Sequence, residues 1–479
     1  MIDTELLKEK VLDLAMRGKL LEQDSADGNA RQLLEEIELE RERLIKEKRI
    51  KKSKPLPEIS EDEIPYDIPE SWEWVRLGDI LYPQATATQK PQQFHYIDIA
   101  SINNKKHEVE SPSLIEAESA PSRANKYVES GDVLFSTVRP YLKNIAVVPN
   151  DNNDYIGTSG FYVLRGIKGI KNEFLFYLCL SNYMIQSMTR LMRGDNSPSV
   201  RNSDMDIFLV PLIPVKEQER IADRINHIFK LIDHLADQQD KFINYQKLVQ
   251  DKALELAMQG KLLPQLPEEG TAENLLEEVE AERQRLIDEK KIKKTKPLPE
   301  ISEDEIPYDI PESWEWVRLG TIGDIVTGNT PPKKELSYYG GKLPFVKPGD
   351  VLNNTINYNT EDYLTKEGAT KARLADKNDI LITCIGNLGR SAIVKKQIAF
   401  NQQLNMIRPY PPIIEKFLKL AISSPGFILK LELEASATTI KIINKSKLSN
   451  ILIPLPPAEE QQRISSKIDE INQVLYGEH

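Results

Sequence analysis

The sequence predicts two mixed α/β domains joined by long antiparallel coiled-coil helices, in a pseudo-two-fold, circular arrangement. Three observations support this: a long internal repeat, a heptad-like apolar pattern, and two dissimilar blocks of short apolar runs. At 479 residues the chain is long enough for several domains, each with its own core.

The repeat sets the domain organisation. Residues 9–80 match residues 251–322 without a gap, and the stretch of 25 residues that begins at Lys54 is identical in both copies. A weaker repeat relates residues 210–225 to residues 453–468. The predicted order is a helical segment (1–64), a first α/β domain (65–214), a central helical segment (215–306), a second α/β domain (307–457) and a C-terminal helix (458–479).

The central segment carries apolar residues at alternating spacings of four and three, which is typical of a coiled-coil seam. The end of the chain repeats the first half of this pattern, and its start repeats the second half. We therefore expect the termini to meet end to end and to lie antiparallel on the central helix, although separate surface helices would show similar stripes. The predicted seam comprises Ile221, Ile225, Ile228, Ile232, Leu235, Phe242, Val249, Leu256, Ile464, Ile468, Ile471, Leu475, Leu7, Val11 and Leu14.

A second helix is predicted after each rod, at 30–52 and 272–294. Both helices are rich in Glu and Arg, and both end in a basic run, KEKRIKKSK or DEKKIKKTK. Two interpretations remain open for these runs. They could contact phosphate, or they could reflect the preference of cations for a helix C-terminus.

The two dissimilar blocks carry short apolar runs rich in β-branched residues and separated by Gly, Asn and Pro. Examples are VLFSTV (133–138), YIGTSGFYVL (155–164), ILITCI (380–385) and NMIRPY (405–410). Such runs predict strands of mixed α/β domains.

Several classes of protein are disfavoured by composition. Cys179 and Cys384 are too few for a disulfide framework, which favours a reducing compartment. The start of the chain lacks the apolar core of a signal peptide, and its apolar runs are too short to span a membrane. We expect a cytoplasmic protein without a membrane partner.

No catalytic or metal-ligating residue is predicted. The chain contains no GxxxxGK[ST], HExxH or [DNS]PP[YFW] motif, and its histidines show no triad-like or metal-like spacing. The four tryptophans, at positions 72, 74, 314 and 316, all lie in two copies of WEW. We interpret them as packing residues at the junction of helix and domain rather than as base-stacking residues.

Six segments carry a family resemblance. They are PESWEWVRLGDI, PESWEWVRLGTIGDI, GDVLFSTVRPYLKNIAVV, TPPKKELSYYGGKLPFVKPGDV, FNQQLNMIRP and IPLPPAEEQQRI. With these segments the sequence resembles, over essentially its whole length, the specificity subunit of type I restriction-modification systems. The resemblance implies a non-catalytic subunit whose two target-recognition domains read the halves of an asymmetric bipartite DNA site. The helices would set the spacing of the halves and dock methyltransferase subunits.

Partners and cofactors follow from the resemblance alone. It implies double-stranded DNA, two modification subunits that use S-adenosylmethionine to methylate adenine, and two restriction subunits that use ATP and Mg, all in phage defence. No cofactor is expected in this chain. The helical segment before the first domain departs from many members and fits a permutation of the same ring. Alternatives are a methylation-only or other defence system, or a coiled-coil scaffold without DNA readout.

Charge is unevenly distributed, which locates the expected DNA contacts. The formal net charge is −11, with +7 in residues 323–450, zero in residues 81–206 and −18 in the remainder. DNA would therefore meet the two blocks, where Arg reads guanine, Asn and Gln read adenine, and Lys meets phosphate. The candidate DNA-binding residues are Arg139, Lys143, Arg193, Asn196, Ser197, Arg201, Lys347, Asn387, Arg390, Gln402, Gln403, Lys441 and Lys445.

Overall fold

The computed structural model describes residues 1–352, 354–436 and 440–477. The chain forms two compact units, Met1–Asp240 (unit 1) and Lys241–His479 (unit 2). Each unit combines a helical part with a mixed α/β domain, and one long helix contributes residues to both. The predicted pair of α/β domains with long helices is confirmed.

Unit 1 places its helical part at both ends of a strand-rich middle. Its elements are α1 Thr4–Met16, α2 Ala30–Lys46, β1 Glu73–Arg76, α3 Leu77–Ile80, β2 Gln93–Ile97, β3 Ile102–Asn103, β4 Glu108–Val109, β5 Ser113–Glu116, β6 Ala124–Tyr127, β7 Val133–Ser136, β8 Ile145–Val147, β9 Tyr155–Thr158, β10 Phe161–Leu164, α4 Asn172–Leu180, α5 Asn182–Arg190, α6 Asn202–Asp206, β11 Leu209–Leu212 and α7 Val215–Met258. The 44 residues of α7 extend about 66 Å at 1.5 Å per residue.

Unit 2 follows the same plan from the second part of α7 onward. Its further elements are α8 Ala272–Asp288, β12 Glu315–Arg318, α9 Leu319–Ile322, β13 Gly323–Thr327, β14 Tyr339–Val346, β15 Asp362–Leu364, α10 Lys366–Lys371, β16 Arg373–Ala375, β17 Ile380–Thr383, β18 Ser391–Ile393, β19 Ile398–Phe400, β20 Leu404–Pro409, α11 Glu415–Ala421, α12 Pro425–Glu434, α13 Lys445–Asn450, β21 Leu452–Leu455 and α14 Ala458–Tyr476.

Each α/β domain contains two larger sheets and one closing pair of strands. In unit 1 the sheets run β10-β7-β8-β4-β3 and β5-β2-β9-β6, and in unit 2 they run β13-β20-β17-β18 and β15-β14-β19-β16. The closing pair joins the first strand of each domain to its last, β1 to β11 and β12 to β21, both antiparallel. Strands β7, β9, β10 and β17 lie within three of the four apolar runs that the sequence predicts as strands, and β20 begins one residue before the fourth.

A buried arginine fixes each closing pair to the segment before it. Arg76 is 4% exposed and donates to the carbonyls of Pro57, Glu58 and Ile207 and to the Glu63 carboxylate, at 2.8–3.1 Å. The hydrogen bonds from Arg76 and from the Ser60 backbone lower the pKa of Glu63 to about 2. Unit 2 repeats this arrangement around Arg318, with Pro299, Glu300, Asn450 and Glu305.

The first tryptophan of each WEW copy is buried and hydrogen-bonded. Trp72 Nε1 donates to Glu217 Oε2 at 2.8 Å, and Gln23 Nε2 donates to the other oxygen of the same carboxylate at 2.7 Å. Trp314, Glu460 and Gln265 form the same arrangement in unit 2, with the same two distances. These contacts connect the start of α7 or α14, the residue before β1 or β12, and the loop that follows α1 or α7. Such contacts are expected of packing residues at the junction of helix and domain.

The helices pack antiparallel within each unit. In unit 1, Lys8 of α1 pairs with Asp233 of α7 at 2.7 Å, and the backbone N–H of Ile2 donates to Gln239 Oε1 at 2.8 Å. In unit 2, Gln250 Nε2 of α7 donates to Asn472 Oδ1 of α14 at 3.0 Å, and Gln246 Nε2, one turn earlier in α7, donates to the carbonyl of Leu475, later in α14. The antiparallel arrangement is therefore confirmed within each unit, whereas the end-to-end meeting of the termini stays a prediction.

The predicted seam is only partly buried. Ile221, Ile225, Ile232, Ile464 and Ile468 are buried. Seven further positions are half-buried: Ile228, Leu235, Leu256, Ile471, Leu475, Val11 and Leu14.

The seam prediction is wrong at three positions, because Leu7, Phe242 and Val249 are 37%, 60% and 49% exposed. Around Phe242 and Val249 the neighbouring apolar residues Ile243, Tyr245 and Leu248 are exposed as well, and no residue from 241 to 250 is buried. Both α1 and the second part of α7 pack against an α/β domain as well as a helix, so the buried residues are Leu12, Ala15 and Met16 in α1 and Ala253, Leu254, Ala257 and Met258 in α7.

The two predicted helices at 30–52 and 272–294 are shorter than expected. α2 ends at Lys46 and α8 ends at Asp288, six residues early in each case. Lys48 and Lys290 follow in the left-handed region, with φ of 56° and 58°. Each closes a Schellman motif, in which the next backbone N–H returns to the carbonyl of Leu44 or Leu286 at 2.9 Å.

Candidate nucleic-acid interface

In unit 1 most of the predicted candidates lie on two loops that meet. The first loop, residues 137–144, joins β7 to β8, and the second, residues 191–201, joins α5 to α6. Val138 and Ser199 form an isolated β-bridge, and the backbone N–H of Arg139 donates to the carbonyl of Pro198 at 2.9 Å. We call them the paired loops of unit 1. Together they present Arg139, Arg193, Asn196, Ser197 and Arg201, all exposed.

The first loop has an unusual backbone that directs its arginine. Arg139 and Lys143 both lie in the left-handed region, with φ of 49° and 52°, on either side of a single 3-10 turn at Pro140–Leu142. Non-glycine residues adopt this conformation at an energetic cost, so the surrounding contacts must hold it. One such contact is the hydrogen bond from Arg139 Nη2 to the carbonyl of Asn196, at 2.9 Å. The guanidinium is thereby positioned across the second loop.

Lys143 has a different environment. Its ammonium lies 3.0 Å from Glu9 Oε1 of α1, and Asn182 Nδ2 donates to the other oxygen of that carboxylate at 3.0 Å. The hydrogen bond from Asn182 and the nearby Lys143 ammonium lower the pKa of Glu9. Lys143 therefore fastens the first loop to α1, and among the unit 1 candidates it has the least support as a DNA contact.

Unit 2 has a corresponding pair of loops. Residues 384–390 follow β17, and residues 435–436 and 440–444 lie between α12 and α13. Ile385 and Ile442 form an isolated β-bridge, and the backbone N–H of Gly386 donates to the carbonyl of Lys441 at 2.9 Å. We call them the paired loops of unit 2. They bring exposed Asn387 and Lys441 together.

The two glutamines border these loops. The backbone N–H of Cys384 donates to the carbonyl of Gln403 at 3.1 Å, which places the turn between β19 and β20 beside the first loop. Thr330 Oγ1 donates to Gln402 Oε1 at 2.6 Å, so that amide has a fixed orientation. Five of the seven unit 2 candidates, Asn387, Arg390, Gln402, Gln403 and Lys441, therefore lie at or beside the paired loops.

Lys347, Arg390 and Lys445 have surroundings of their own. Lys347 forms ion pairs with Glu361 and Asp362 at 2.7 and 2.8 Å. Arg390 Nη2 donates to the carbonyl of Pro348 at 2.9 Å, and its side chain lines a cavity shared with α7 and α14. Lys445 is exposed at the start of α13.

A feature that the sequence did not predict shows that the two domains share one framework. Asp132, before β7, pairs with Arg165 after β10, at 2.6 Å; Asp379, before β17, pairs with Arg408 of β20, at 2.5 Å. In each pair the aspartate immediately precedes the strand, β7 or β17, that leads into the paired loops of its unit. The available signal was the similarity of DVLFS at 132 to DILIT at 379, which lies outside the offset of the main repeat.

No group of three or more His, Cys, Asp or Glu residues suited to a metal ion occurs in the described part of the chain. Among the same residues, no helix is long and apolar enough to cross a membrane. Both loop pairs present exposed arginine, lysine or amide groups, which suit hydrogen bonding to base edges and phosphates.

Comparisons with known proteins agree with this geometry. A family model described as type I restriction modification DNA specificity domain matches residues 69–243 and 311–475. The EcoAI specificity subunit of Escherichia coli is 28% identical, over 98% of this chain and 88% of that protein. The EcoEI specificity subunit of the same organism is 27% identical, over 98% and 89%.

Solved structures give the same result. A chain from work on complex assembly and conformational transition of the type I R-M system is 31% identical, with a TM-score of 0.63, over 86% of this chain and 92% of that one. The HsdS subunit from Thermoanaerobacter tengcongensis is 29% identical, with a TM-score of 0.54, over 86% and 91%. Since the family model matches both units over most of their length, the chain belongs to the family of type I restriction-modification DNA specificity proteins.

Proposed function

We propose that this chain is the non-catalytic subunit that reads a bipartite DNA site, with one half-site for each pair of loops. The observation that carries the proposal is a shared framework with different exposed side chains. The ion pairs Asp132–Arg165 and Asp379–Arg408 occupy corresponding places before loops whose sequences are unrelated. A common framework with variable loops is what a family of sequence readers requires.

The two loop pairs differ in chemistry, so the two half-sites should differ. Unit 1 offers arginines, Arg139 and Arg193, whose guanidinium groups suit the O6 and N7 acceptors of guanine. Unit 2 offers Asn387 and Gln402, whose amides suit adenine, and Lys441, which suits phosphate. An asymmetric site follows from this difference.

Partner subunits would supply the catalysis. Two methyltransferase subunits that use S-adenosylmethionine would dock on the helical parts, because the near-identical copies offer equal surfaces to two copies of one protein. The helical parts would also set the number of unread base pairs between the half-sites. Restriction subunits that use ATP and Mg would complete a restricting complex.

The test is adenine-methylation mapping in cells that co-express the chain with its cognate methyltransferase. Arg139→Ala combined with Arg193→Ala should relax one half-site only, since removing a bidentate hydrogen-bonded pair costs about 1–3 kcal/mol per base pair. Asn387→Ala combined with Gln402→Ala should relax the other half-site. Arg123→Ala, an exposed arginine of the first domain outside the paired loops, is the matched control and should leave the motif unchanged. A continuous palindromic motif, or relaxation of both halves by either variant, would contradict the proposal.

A further inference from the structure

Two strongly basic segments lie outside both α/β domains. They are residues 48–54, KRIKKSK, after α2, and residues 290–296, KKIKKTK, after α8. We call them the basic segments. Each has five cations in seven positions, and all ten side chains are exposed: Lys48, Arg49, Lys51, Lys52, Lys54, Lys290, Lys291, Lys293, Lys294 and Lys296.

The helix dipole does not account for most of these cations. It acts on charges within the last turn of a helix, and α2 and α8 end at Lys46 and Asp288. The chain then turns through the left-handed Lys48 and Lys290 and continues without helical structure. Lysines at 51–54 and 293–296 thus require another explanation.

The basic segments are held at both ends. At the start, the Schellman motifs return the chain to Leu44 and Leu286, and Ile292 packs against the core of unit 2. At the far end, the buried Arg76 and Arg318 bind the carbonyls of Pro57 and Pro299, which follow the segments. A basic run between two fixed points presents its lysines from a defined place and loses little entropy on binding.

The cations of the basic segments are almost entirely unneutralised. Within the described residues, only Lys291 has a carboxylate at ion-pair distance, Glu289 at 2.7 Å. Glutamates of the adjacent helix pair instead with its own arginines; Arg285, for example, binds Glu282 at 2.6 Å. A chain of net charge −11 therefore keeps nine unpaired cations in two places.

In unit 2 the basic segment lies beside the helix α13 of the α/β domain. Lys293 and Lys296 line a cavity of about 650 Å³ together with Lys445 and Ser446 of α13. Gly78 has Leu56 and Asp206 as neighbours, as Gly320 has Leu298 and Ser449, so the residue two positions after each segment lies near the end of α6 or α13. Each segment is thus beside the helix that follows the second of its paired loops.

We propose that the two basic segments bind DNA phosphates next to the bases that the paired loops read, an inference that rests on the proposed function. Lysine is a point charge that suits phosphate and carries no base information. A protein-binding surface would be expected to offer aromatic or other apolar anchors, whereas the one apolar residue of each segment, Ile50 or Ile292, is turned inward and half-buried. Near-identical segments would give both half-sites the same sequence-independent affinity.

The test compares the assembled methyltransferase complex with variants of the basic segments. Lys51, Lys52 and Lys54 are changed to glutamine in one variant, their counterparts Lys293, Lys294 and Lys296 in a second, and all six in a third. Affinity for a duplex with the mapped site is measured by fluorescence anisotropy between 50 and 200 mM salt. Removing one lysine–phosphate interaction should reduce the slope of log K against log salt by about 0.9, so removing three should reduce it by about 2.7. The decrease should be equal on a duplex without the site, so the ratio of specific to non-specific affinity is unchanged.

A matched control variant tests whether the change in slope is specific to the basic segments. Three exposed scaffold lysines outside the segments, Lys247, Lys252 and Lys261, are changed to glutamine and should leave the slope unaltered. An unchanged slope in the six-lysine variant would overturn the inference. Loss of methyltransferase assembly on size exclusion, with a normal slope at saturating partner, would overturn it too and assign the segments to a protein partner. A wild-type complex that does not bind a bipartite site would instead refute the proposed function.

Discussion

Replacing Trp72 by phenylalanine should weaken unit 1 at its closing strands. The change removes the indole N–H that donates to Glu217, a carboxylate that is 1% exposed, and leaves Gln23 as its remaining side-chain donor. A hydrogen bond to a charged group contributes about 1.5–3 kcal/mol, which sets the expected decrease in stability. Burial favours the neutral carboxyl of Glu217 over the carboxylate and so raises its pKa. The cost of removing its donor should therefore shrink as the pH falls through that raised pKa and the carboxyl becomes neutral.

Hydrogen–deuterium exchange measures this decrease locally, without assuming two-state unfolding of the whole chain. Amides of β1 and β11 should exchange about 10–150-fold faster in the variant, because about 1.4 kcal/mol is tenfold. Strands β12 and β21 of unit 2 carry the same arrangement unaltered and serve as the internal standard. Trp314→Phe should give the reverse pattern.

Two results would refute this reasoning. An acceleration below about threefold in β1 and β11 would mean that the Trp72–Glu217 hydrogen bond adds little to the closing pair. Equal acceleration in both units would mean that the variant perturbs the chain generally.

Two further predictions concern stability. Burial lowers the pKa of Lys419 from 10.5 to about 8, so Lys419→Met should stabilise unit 2 below pH 8, by less than the about 3 kcal/mol of the shift because the hydrogen bond to Asn354 Oδ1 is lost as well. Since wild-type stability rises between pH 8 and 10.5 as this ammonium is neutralised, the advantage of the variant should vanish above that range in thermal melts; a constant advantage would refute the cause. Phe242→Gln should change the free energy of unfolding of the isolated chain by less than about 0.5 kcal/mol, because the ring is 60% exposed. Thermal melts would check this. A decrease of about 2 kcal/mol or more in the free energy of unfolding would mean that Phe242 is packed in the helix seam, as the sequence predicts.

The repeat made the general architecture predictable, because two copies of one framework imply two similar units. Local patterns also located strands β7 and β17 and the junction role of Trp72 and Trp314. The end of α2 was not predictable from propensity, since KEKRIKK favours a helix. The stop arises because Ile50 folds back towards the buried Leu44, through a left-handed Lys48.

The sequence allowed the types of residue in the candidate site to be predicted, but not how those residues are arranged in space. The exposed Arg, Asn and Lys residues were visible in Gly, Asn and Pro-rich loops. Their pairing across the β-bridge from Val138 to Ser199 joins residues far apart in the chain, and local sequence does not encode it. The ion pair from Lys143 to Glu9 escaped prediction for the same reason, because the two groups belong to different parts of unit 1.

The closing strands have a consequence for how these domains can vary in length. β1 and β11 are hydrogen-bonded neighbours, as are β12 and β21, so the chain leaves and rejoins the helical part at adjacent positions about 5 Å apart. The points at which the domain joins the helical part therefore do not depend on how many residues lie between the two closing strands. The entropic cost of closing a longer loop grows only logarithmically with its length. Insertions and deletions inside an α/β domain should leave the geometry of the helices unchanged, which frees the reading loops to change in size as well as in sequence.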